Sequence, residues 1–545
     1  MRLHRIALAL ACIATAVAQA APAKPRLVLV ISIDQFRADL MRRFEPWFLP
    51  PKSNGGVGGF RWLQETGAYY LDAHHTHLPT ATGPGHATIL SGSDPFSNGI
   101  VGNDWFDRAT GKEVYCVDDA SVQTVGGSSK PMSPRNMLST TVGDELKMVT
   151  NGKSKVVGVS FKDRAAILMA GHAADTVVWL DGGNGKWVSS TFYFPGKQLP
   201  KWVDDVNAKN VIAGAKDQTW EPLLDEKEYW PARRAPAEKT PANGKLFSHP
   251  TSSTSKFTMS GQGQAYLFDT VKKAIVGEQL GQDDVPDILA VNLAPNDYVG
   301  HAYGPNSPEV MDITIRTDRL LSDLFNFIDK NVQGGLNSVL ICVTADHGVV
   351  PIPEESANVY RTGVKRGPAT GEDIKKTIQA ALSAKYGEGD WVLYVGEPDT
   401  YLNEKLVAQK NLNLAEVEKT AAEAVNKMQS EYCAFTASQI MVGQLPQWSW
   451  TQLIYNGFNL KLGGNLMIAD MPGWYNGDGT GTGHGTPWKY DTHVPLILRG
   501  PGISPGHYYR NVGVPDLAAT ISQILGTEYP TGCIGQPLRE ALGDK

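Results

Sequence analysis

A threonine that could act as a nucleophile, Thr82, stands directly before a Gly-Pro-Gly sequence and a short apolar segment that stops at Gly92. Proline suits the first turn of a helix and glycine its end, so the stretch predicts a helix that begins beside Thr82. The free N–H groups and the positive dipole at a helix start favour an alkoxide and bind phosphate oxygens. Threonine is also common as an ordinary N-cap, and Thr80 is a second candidate nucleophile, further from the turn.

Acidic residues follow three predicted strands at the point where each strand ends. They are Asp34, Asp297 and Asp346. Ligands of open parallel sheets bind at the carboxyl ends of the strands, where three carboxylates would repel one another unless a cation neutralised them. Three histidines occur beside these acids or in a Gly-rich loop: His301, His347 and His484. Such a mixed set of nitrogen and oxygen ligands suits Zn²⁺, and together with the Thr82 oxygen it suits two ions better than one.

Positive charge lies at the end of a further predicted strand. Lys162 and Arg164 are two residues apart, and residues at this spacing on an extended segment project from the same face. They could grip an anion together, or they could form a solvated edge pair with Asp163. Asn103 is a neutral amide in a predicted turn and indicates nothing by itself.

The elements that must position these residues are near-continuous apolar runs rich in β-branched side chains. Such runs are typical of strands buried on both faces of a parallel sheet. They lie at 26–34, 155–161, 287–293, 338–344, 465–469 and 494–498. Helical patterns separate them, and two regions of weaker periodicity interrupt the series at about 166–263 and 351–463. The sequence predicts an α/β fold in which residues 26–545 form one catalytic domain with two inserted subdomains.

The first twenty residues are typical of a secretory signal peptide. Arg2 and Arg5 precede a short apolar run, and Ala18-Gln19-Ala20 fits a cleavage site. Cleavage after about Ala20 would remove two positive charges and no acid, so the formal net charge of −6 would become −8. This acidic balance argues against nucleic acid as the main partner, and no later stretch is apolar enough to span a bilayer. We expect an exported protein, periplasmic or secreted, without stable membrane insertion.

Seven motifs together resemble the alkaline phosphatase superfamily over nearly the whole mature chain. They are Ser-Ile-Asp34, Thr82-Gly-Pro-Gly-His-Ala, Gly-Asn103-Asp-Trp, Phe-Lys162-Asp-Arg164, Asp297-x-x-Gly-His301, Ala-Asp346-His347-Gly and His484-Gly-Thr-Pro. The chain is most similar to bacterial exported phosphomonoesterases with a threonine nucleophile. The resemblance implies an alkaline-phosphatase-like fold with a central, mostly parallel sheet flanked by helices. It also implies inserted regions that shape the cleft and small-molecule phosphate monoesters as substrates of what we expect to be a monomer.

The resemblance further implies a role for each site residue. One zinc ion would be held by Asp34, Thr82, Asp346 and His347, and a second by Asp297, His301 and His484. Thr82 would attack phosphorus in line and form a phosphothreonine, which water then hydrolyses. The non-bridging phosphate oxygens would be gripped by Asn103, Lys162 and Arg164.

Other functions compete with this interpretation. A phosphodiesterase or nucleotide pyrophosphatase of the same superfamily resembles the chain in its metal ligands. Lys162 and Arg164 favour monoesters, because a diester offers one charged oxygen fewer and would leave a buried cation without its partner. A non-catalytic metal- or phosphate-binding scaffold would not need an intact Thr82. A sulfatase would need Cys-x-Pro-x-Arg, and the G-x-S-x-G sequence at 502–506 has a proline where the oxyanion hole of a serine hydrolase needs an N–H.

Overall fold

The computed structural model describes residues 24–233, 244–360, 363–364, 366–367, 370–428, 432–476 and 480–543. The predicted signal peptide, residues 1–20, lies outside the described residues, and so do residues 477–479 at the start of the Gly-rich loop before His484. Among the helices that the structure describes, none combines the length and the apolar character needed to cross a membrane.

The strands form a central sheet, a small second sheet and several two-stranded ribbons. In chain order they are β1 Leu27–Ser32, β2 Lys52–Ser53, β3 Gly56–Val57, β4 Ala68–His74, β5 Asp104–Asp107, β6 Lys112–Tyr115, β7 Thr124–Val125, β8 Val156–Val159, β9 Thr176–Asp181, β10 Lys186–Ser190, β11 Thr219–Trp220, β12 His249–Pro250, β13 Asp287–Asn292, β14 Val339–Thr344, β15 Arg366–Gly367, β16 Val392–Val395, β17 Asp399–Leu402, β18 Tyr432–Thr436, β19 Leu466–Asp470, β20 Tyr475–Asn476, β21 His493–Arg499 and β22 Gly506–Gly513.

The helices pack on the sheets or connect their strands. In chain order they are α1 Ala38–Arg43, α2 Phe60–Thr66, α3 Thr82–Ser91, α4 Pro95–Asn98, α5 Val142–Val149, α6 Asp163–Ala170, α7 Lys201–Ala208, α8 Val211–Gly214, α9 Thr254–Thr258, α10 Gly261–Gly277, α11 Pro295–Tyr303, α12 Pro308–Asn331, α13 Pro353–Tyr360, α14 Gly371–Tyr386, α15 Glu404–Gln409, α16 Leu414–Val425, α17 Ala437–Met441, α18 Thr451–Gly457, α19 Lys489–Thr492 and α20 Asp516–Leu525. Short 3₁₀ turns occur at Glu45–Trp47, Glu226–Tyr229 and Gly335–Ser338.

The central sheet has ten strands in the order β22-β4-β21-β14-β1-β13-β8-β9-β10-β7. Its middle strands β14, β1, β13, β8 and β9 are parallel to one another, and every residue of β1, β13 and β14 is buried. The apolar runs produce this arrangement because strands covered by helices on both faces must bury every side chain. The predicted α/β sheet flanked by helices is confirmed. The sheet is mixed, since β21 is antiparallel to β14 and β10 is antiparallel to β9.

The two regions of weaker periodicity differ in how they join this sheet. The first contains β9 and β10, which lengthen the central sheet beyond β8. The second contributes three strands of a separate four-stranded sheet, β16-β17-β19-β18, which is covered by α14 and α16. The run at 465–469, predicted as a strand of the last α/β segment, forms β19 and pairs with β17 and β18 in this small sheet.

Candidate active site

The three acidic residues meet at one edge of the central sheet. Asp34 and Asp346 lie two residues beyond β1 and β14, and Asp297 lies in the first turn of α11, just beyond β13. Because Ser32 is paired with Thr344 on one side and with Asn292 on the other, the three strands end level with one another. All three carboxylates are buried. The sheet therefore brings together the acids that the sequence predicted at strand ends.

The three histidines approach these acids with the same ring nitrogen. Each Nδ1 makes a hydrogen bond with a backbone carbonyl: His301 with Thr482 at 2.7 Å, His347 with Gly348 at 2.9 Å and His484 with Thr80 at 2.8 Å. A carbonyl oxygen only accepts, so each Nδ1 is the donor and each Nε2 is left to face the carboxylates. Metal-ligating histidines are oriented in this way by their outer nitrogen.

The acids and histidines form two groups of nearby ligand atoms, and His347 belongs to both groups. Asp34, Asp346 and His347 offer ligand atoms that all lie within 4.8 Å of one another, and so do Asp297, His347 and His484. His301 Nε2 lies 3.1 Å from Asp297 Oδ1. His347 thus contributes to both groups, and its ring stacks on that of His484 with 3.6 Å between the ring centroids.

The chemistry of this donor set fits divalent metal ions. Asp346 Oδ2 is buried and accepts no hydrogen bond from the part of the chain that the structure describes. A buried carboxylate oxygen without a donor is costly unless a cation compensates it. Asp34 and Asp346 could hold one ion with His347, and Asp297 could hold another with His301 and His484.

Lys162 reaches into the middle of the acidic group. Its Nζ donates to Asp297 Oδ2 at 2.6 Å, to Asp34 Oδ1 at 3.0 Å and to Thr82 Oγ1 at 3.3 Å. Burial opposes the charge of this lysine, but Asp297 and Asp34 outweigh it and raise the pKa of Lys162. Burial, followed by the charge of Asp346, raises the pKa of Asp34. The Lys162 ammonium therefore stays charged between the carboxylates, and Asp34 binds a proton more tightly than a free aspartate does.

Thr82 is the first residue of α3, whose N-cap is Ala81 and carries no side-chain capping bond. The Thr82 hydroxyl is therefore not used as an ordinary cap, and its Oγ1 instead lies 3.5 Å from His347 Nε2. Thr80 is committed elsewhere, because its hydroxyl donates to the Thr486 carbonyl at 2.8 Å. A hydroxyl at the start of a helix and beside carboxylates and imidazoles that could hold a metal ion is a candidate nucleophile.

Thr82 opens into a cavity of about 440 Å³ that Asn103 and Arg164 also line. Asn103 Oδ1 accepts a hydrogen bond from the Gly83 N–H at 2.8 Å, which leaves its amide group free to donate. Arg164 Nη1 donates to the Tyr115 hydroxyl at 3.0 Å, and its Nε is buried with no acceptor among the described residues. These donors and the start of α3 face one space, as an anion site requires.

Sequence reasoning missed several residues that hold the site in shape. Gln35 Nε2 donates to Asp297 Oδ1 at 2.8 Å, and its backbone adopts the left-handed region with φ of 61°. Asn292 Nδ2 donates to Asp34 Oδ2 at 3.1 Å. Tyr115 donates to Asp163 Oδ1 at 2.5 Å while it accepts from Arg164. Asn292 had a visible signal, because it is a polar residue at the end of an apolar strand.

The α/β fold and the Asp/His groups at the ends of its central strands place the protein in the alkaline phosphatase superfamily. A family model described as type I phosphodiesterase / nucleotide pyrophosphatase matches residues 28–487, and the chain belongs to this family.

Two bacterial enzymes and one solved structure show how far the similarity extends. Alkaline phosphatase PafA of Elizabethkingia meningoseptica is 36% identical over 535 residues, which cover 95% of each chain. Alkaline phosphatase PhoV of Synechococcus elongatus is 35% identical over 538 residues, which cover 95% of this chain and 93% of that one. A crystal structure of wild-type PafA matches with a TM-score of 0.87 and 34% identity, covering 95% of this chain and 99% of that chain.

Proposed function

We propose that the protein is an exported, metal-dependent alkaline phosphatase that hydrolyses small-molecule phosphate monoesters. The observation that carries the proposal is the position of the Thr82 hydroxyl. It lies at the start of α3, beside His347 and Lys162, and faces the same cavity as Arg164. The names of the similar bacterial enzymes support the same activity.

The proposed reaction uses Thr82 as the nucleophile and passes through a phosphothreonine. Two zinc ions, when bound, would supply Lewis-acid stabilisation of the attacking and leaving oxygens. One would be held by Asp34, Thr82, Asp346 and His347, and the other by Asp297, His301 and His484. The alignment of the three strand ends and the orientation of each Nε2 support this division. His347 lies close to both groups, so its assignment to the first rests on its contact with Asp346.

Asn103, Lys162 and Arg164 are proposed to bind the non-bridging phosphate oxygens. Arg164 and Asn103 already line the cavity, and a guanidinium can meet two oxygens of a phosphate at once. Lys162 Nζ contacts the Thr82 hydroxyl, so it is close to where the transferred phosphoryl group would lie. If the Lys162 ammonium turned from the carboxylates toward a bound phosphate, Asp34 and Asp297 would still lie nearby.

Export and quaternary state complete the proposal. The signal-like residues 1–20 support a periplasmic or secreted location with cleavage after about Ala20. We propose that residues 26–545 act as one catalytic domain with insertions at about 166–263 and 351–463, working as a monomer.

Replacing Thr82 by Ala should abolish most turnover of a nitrophenyl phosphate, roughly a 10³-fold loss or more, because covalent catalysis needs the hydroxyl. The variant should keep its metal content, since the other ligands remain. Thr80→Ala is the matched control and should retain most activity. Elemental analysis together with initial rates measures both, and a fully active Thr82→Ala protein would rule out the proposed nucleophile.

A phosphodiesterase is the second candidate, because the family description includes that activity. Arg164→Ala should lower monoester hydrolysis by roughly 10²-fold and lower hydrolysis of the bis-nitrophenyl diester much less, since the diester lacks one charged oxygen. Wild-type enzyme should prefer the monoester, and a chelator should stop both reactions. Faster diester turnover by the wild type would instead favour the second candidate, and turnover of neither ester would favour a non-catalytic scaffold.

A further inference from the structure

A second group of ligand-type side chains lies on the central sheet, apart from the acids described above. Asp72 and His74 are two residues apart on β4 and therefore project from the same face. His493, the first residue of β21, is paired directly with His74 across the antiparallel ladder, so its side chain lies on that face too. The sheet register thus brings one carboxylate and two imidazoles to one place.

The three side chains are close enough to share one ion. Their ligand atoms all lie within 4.8 Å of one another, and His74 Nε2 is 2.9 Å from Asp72 Oδ1. The two imidazole rings are stacked, with 4.7 Å between centroids and 18° between planes. Ligands of a tetrahedral zinc ion stand about 3.3 Å apart when each bond is about 2.0–2.1 Å, so small side-chain rotations would complete the site.

The hydrogen bonds of the two histidines prepare the correct nitrogen of each. His493 Nε2 donates to the Leu71 carbonyl at 2.8 Å, which leaves Nδ1 as the nitrogen with a free lone pair. His74 Nδ1 lies 3.0 Å from the Thr492 hydroxyl and can donate to it, which leaves Nε2 facing Asp72. An outer hydrogen bond that fixes the tautomer of each imidazole is the usual support of a histidine metal ligand.

The third ligand is supported in the same way. Asp72 Oδ2 accepts a hydrogen bond from Asn511 Nδ2 of β22 at 3.1 Å, which leaves Oδ1 directed toward His74. All three side chains are partly exposed, so water can reach the group and supply a fourth ligand. Neutral imidazoles and one carboxylate form a set that suits Zn²⁺ or a similar divalent transition metal.

We propose that Asp72, His74 and His493 form a further, structural metal site that binds a divalent transition metal such as Zn²⁺. The site joins the end of β4 to the start of β21. The segment that carries Thr82 follows the end of β4, and the segment that carries His484 precedes the start of β21. His75, the residue after His74, donates its N–H to the Thr492 carbonyl at 2.9 Å. An ion here stabilises the base of both segments without taking part in the reaction.

The test compares the metal content of zinc-saturated, desalted protein with that of three variants. His493→Gln and Asp72→Asn should each contain about one zinc equivalent per chain less than the wild type and should melt at a lower temperature, because ligand binding stabilises the folded state. His507→Gln is the matched control, since His507 also lies on this sheet and donates its Nε2–H to a backbone carbonyl, that of Gln64. It should keep the wild-type content.

Crystals of the wild-type protein provide a test that does not depend on any variant folding. Anomalous difference maps at the zinc edge should contain a peak between Asp72, His74 and His493. Absence of that peak in zinc-saturated crystals, or an equal zinc content in wild type and His493→Gln, overturns the proposal and leaves an ordinary ion pair. Because the readout is metal content and position, loss of the proposed phosphatase activity would not affect it.

Discussion

The two regions of weaker periodicity contribute to the molecule in opposite ways. The first is continuous with the catalytic part, by which we mean the central sheet and the residues at its strand ends. Strands β9 and β10 extend this sheet, and Trp187 of β10 belongs to the same hydrophobic core as β1, β13 and β14. The second forms most of a small sheet with a core of its own around Trp391, which Leu466 of the adjacent β19 completes. We infer that a region with this core of its own can vary more than the first without moving the ends of the central strands, although its Tyr401 and Phe435 also pack in clusters with Trp179 and Leu78.

The same two regions also meet the candidate site differently. Residues of the second region, among them Val395, Glu397 and Ile374, line the cavity that contains Thr82. The first region lines a neighbouring cavity beside His301, to which it contributes Leu180 and Thr258. We infer that the first region stabilises the catalytic sheet and that the second shapes substrate selection. Three predictions test this comparison, starting with the largest effect.

Removing a core tryptophan from each region should separate their roles most strongly. Trp187 is fully buried, donates to the Tyr266 hydroxyl at 3.0 Å and packs on Phe161, next to Lys162. Trp187→Ala should lower the free energy of unfolding of the catalytic part by about 3–5 kcal/mol, as large cavities in cores do. Activity should then be lost at a lower urea concentration than in the wild type.

Trp391→Ala is the counterpart, since Trp391 is equally buried and donates to the Gly387 carbonyl at 3.1 Å. It should cost a similar free energy, but only in the second region, so an early unfolding transition should appear while turnover of a small nitrophenyl ester persists. Fluorescence and activity measured along the same urea titration distinguish the two cases. If both variants shift one common transition equally, the regions do not differ in the way inferred here.

The sequence was sufficient to predict which acids and histidines lie together in the candidate site, because most of them are marked locally. Asp34, Asp297 and Asp346 follow buried strands, and parallel neighbours bring such ends together without further information. The position of the Lys162 ammonium between Asp34 and Asp297 could not be predicted in this way. It depends on distances between strands that are far apart in the chain, and sequence spacing describes only residues on one element.

The sequence also did not predict which strands pair with one another. The apolar run that forms β19 has the same appearance as a strand of the central sheet, because periodicity reports burial and not the identity of the neighbours. For the same reason nothing in the sequence placed β21 antiparallel between β14 and β4. The weak periodicity of the first region likewise did not reveal that β9 and β10 extend the central sheet.

Changing one charge of the second region should alter selectivity rather than the reaction itself. Glu397 lines the cavity, and a Cβ built on Gly485 would stand 1.7 Å from Glu397 Oε1, so this carboxylate lies against the loop that carries His484. Burial raises the pKa of this carboxyl from 4.5 to about 7, so at alkaline pH its charge should disfavour esters with anionic leaving groups. Glu397→Gln should raise kcat/KM for such esters by roughly 3- to 10-fold, the size of one partly screened charge interaction, and should change neutral esters less.

Glu388→Gln is the control for this substitution, because Glu388 is exposed in the same region and does not line the cavity. Rates for a neutral and a carboxylated aryl phosphate, measured with wild type and both variants, give the comparison. An equal change for both esters would mean that Glu397 does not select by charge and that the second region affects substrates only through the shape of the cavity.

The smallest effect concerns the dependence of the second region on pH. Asp399 of β17 is buried and accepts a hydrogen bond from the Gly464 N–H at 2.8 Å. Burial raises the pKa of this carboxyl from 3.8 to about 7, so the folded region favours the protonated form. The resulting stability is fully present below about pH 4 and is lost as the pH rises through about 7.

Asp399→Asn should therefore stabilise the second region at pH 9 by about 1 kcal/mol, because the neutral amide avoids a buried charge but makes a weaker hydrogen bond with Gly464. At pH 4 the same substitution should have little effect. Asp390→Asn, at an exposed position of the same region, is the control and should change neither value. Urea unfolding at the two pH values measures the difference, and the absence of a pH-dependent gain would show that Asp399 is charged in the folded region without cost. If the gain instead appeared in the transition of the catalytic part, the small sheet would not be an independent unit, because β17 would share its stability with the central sheet.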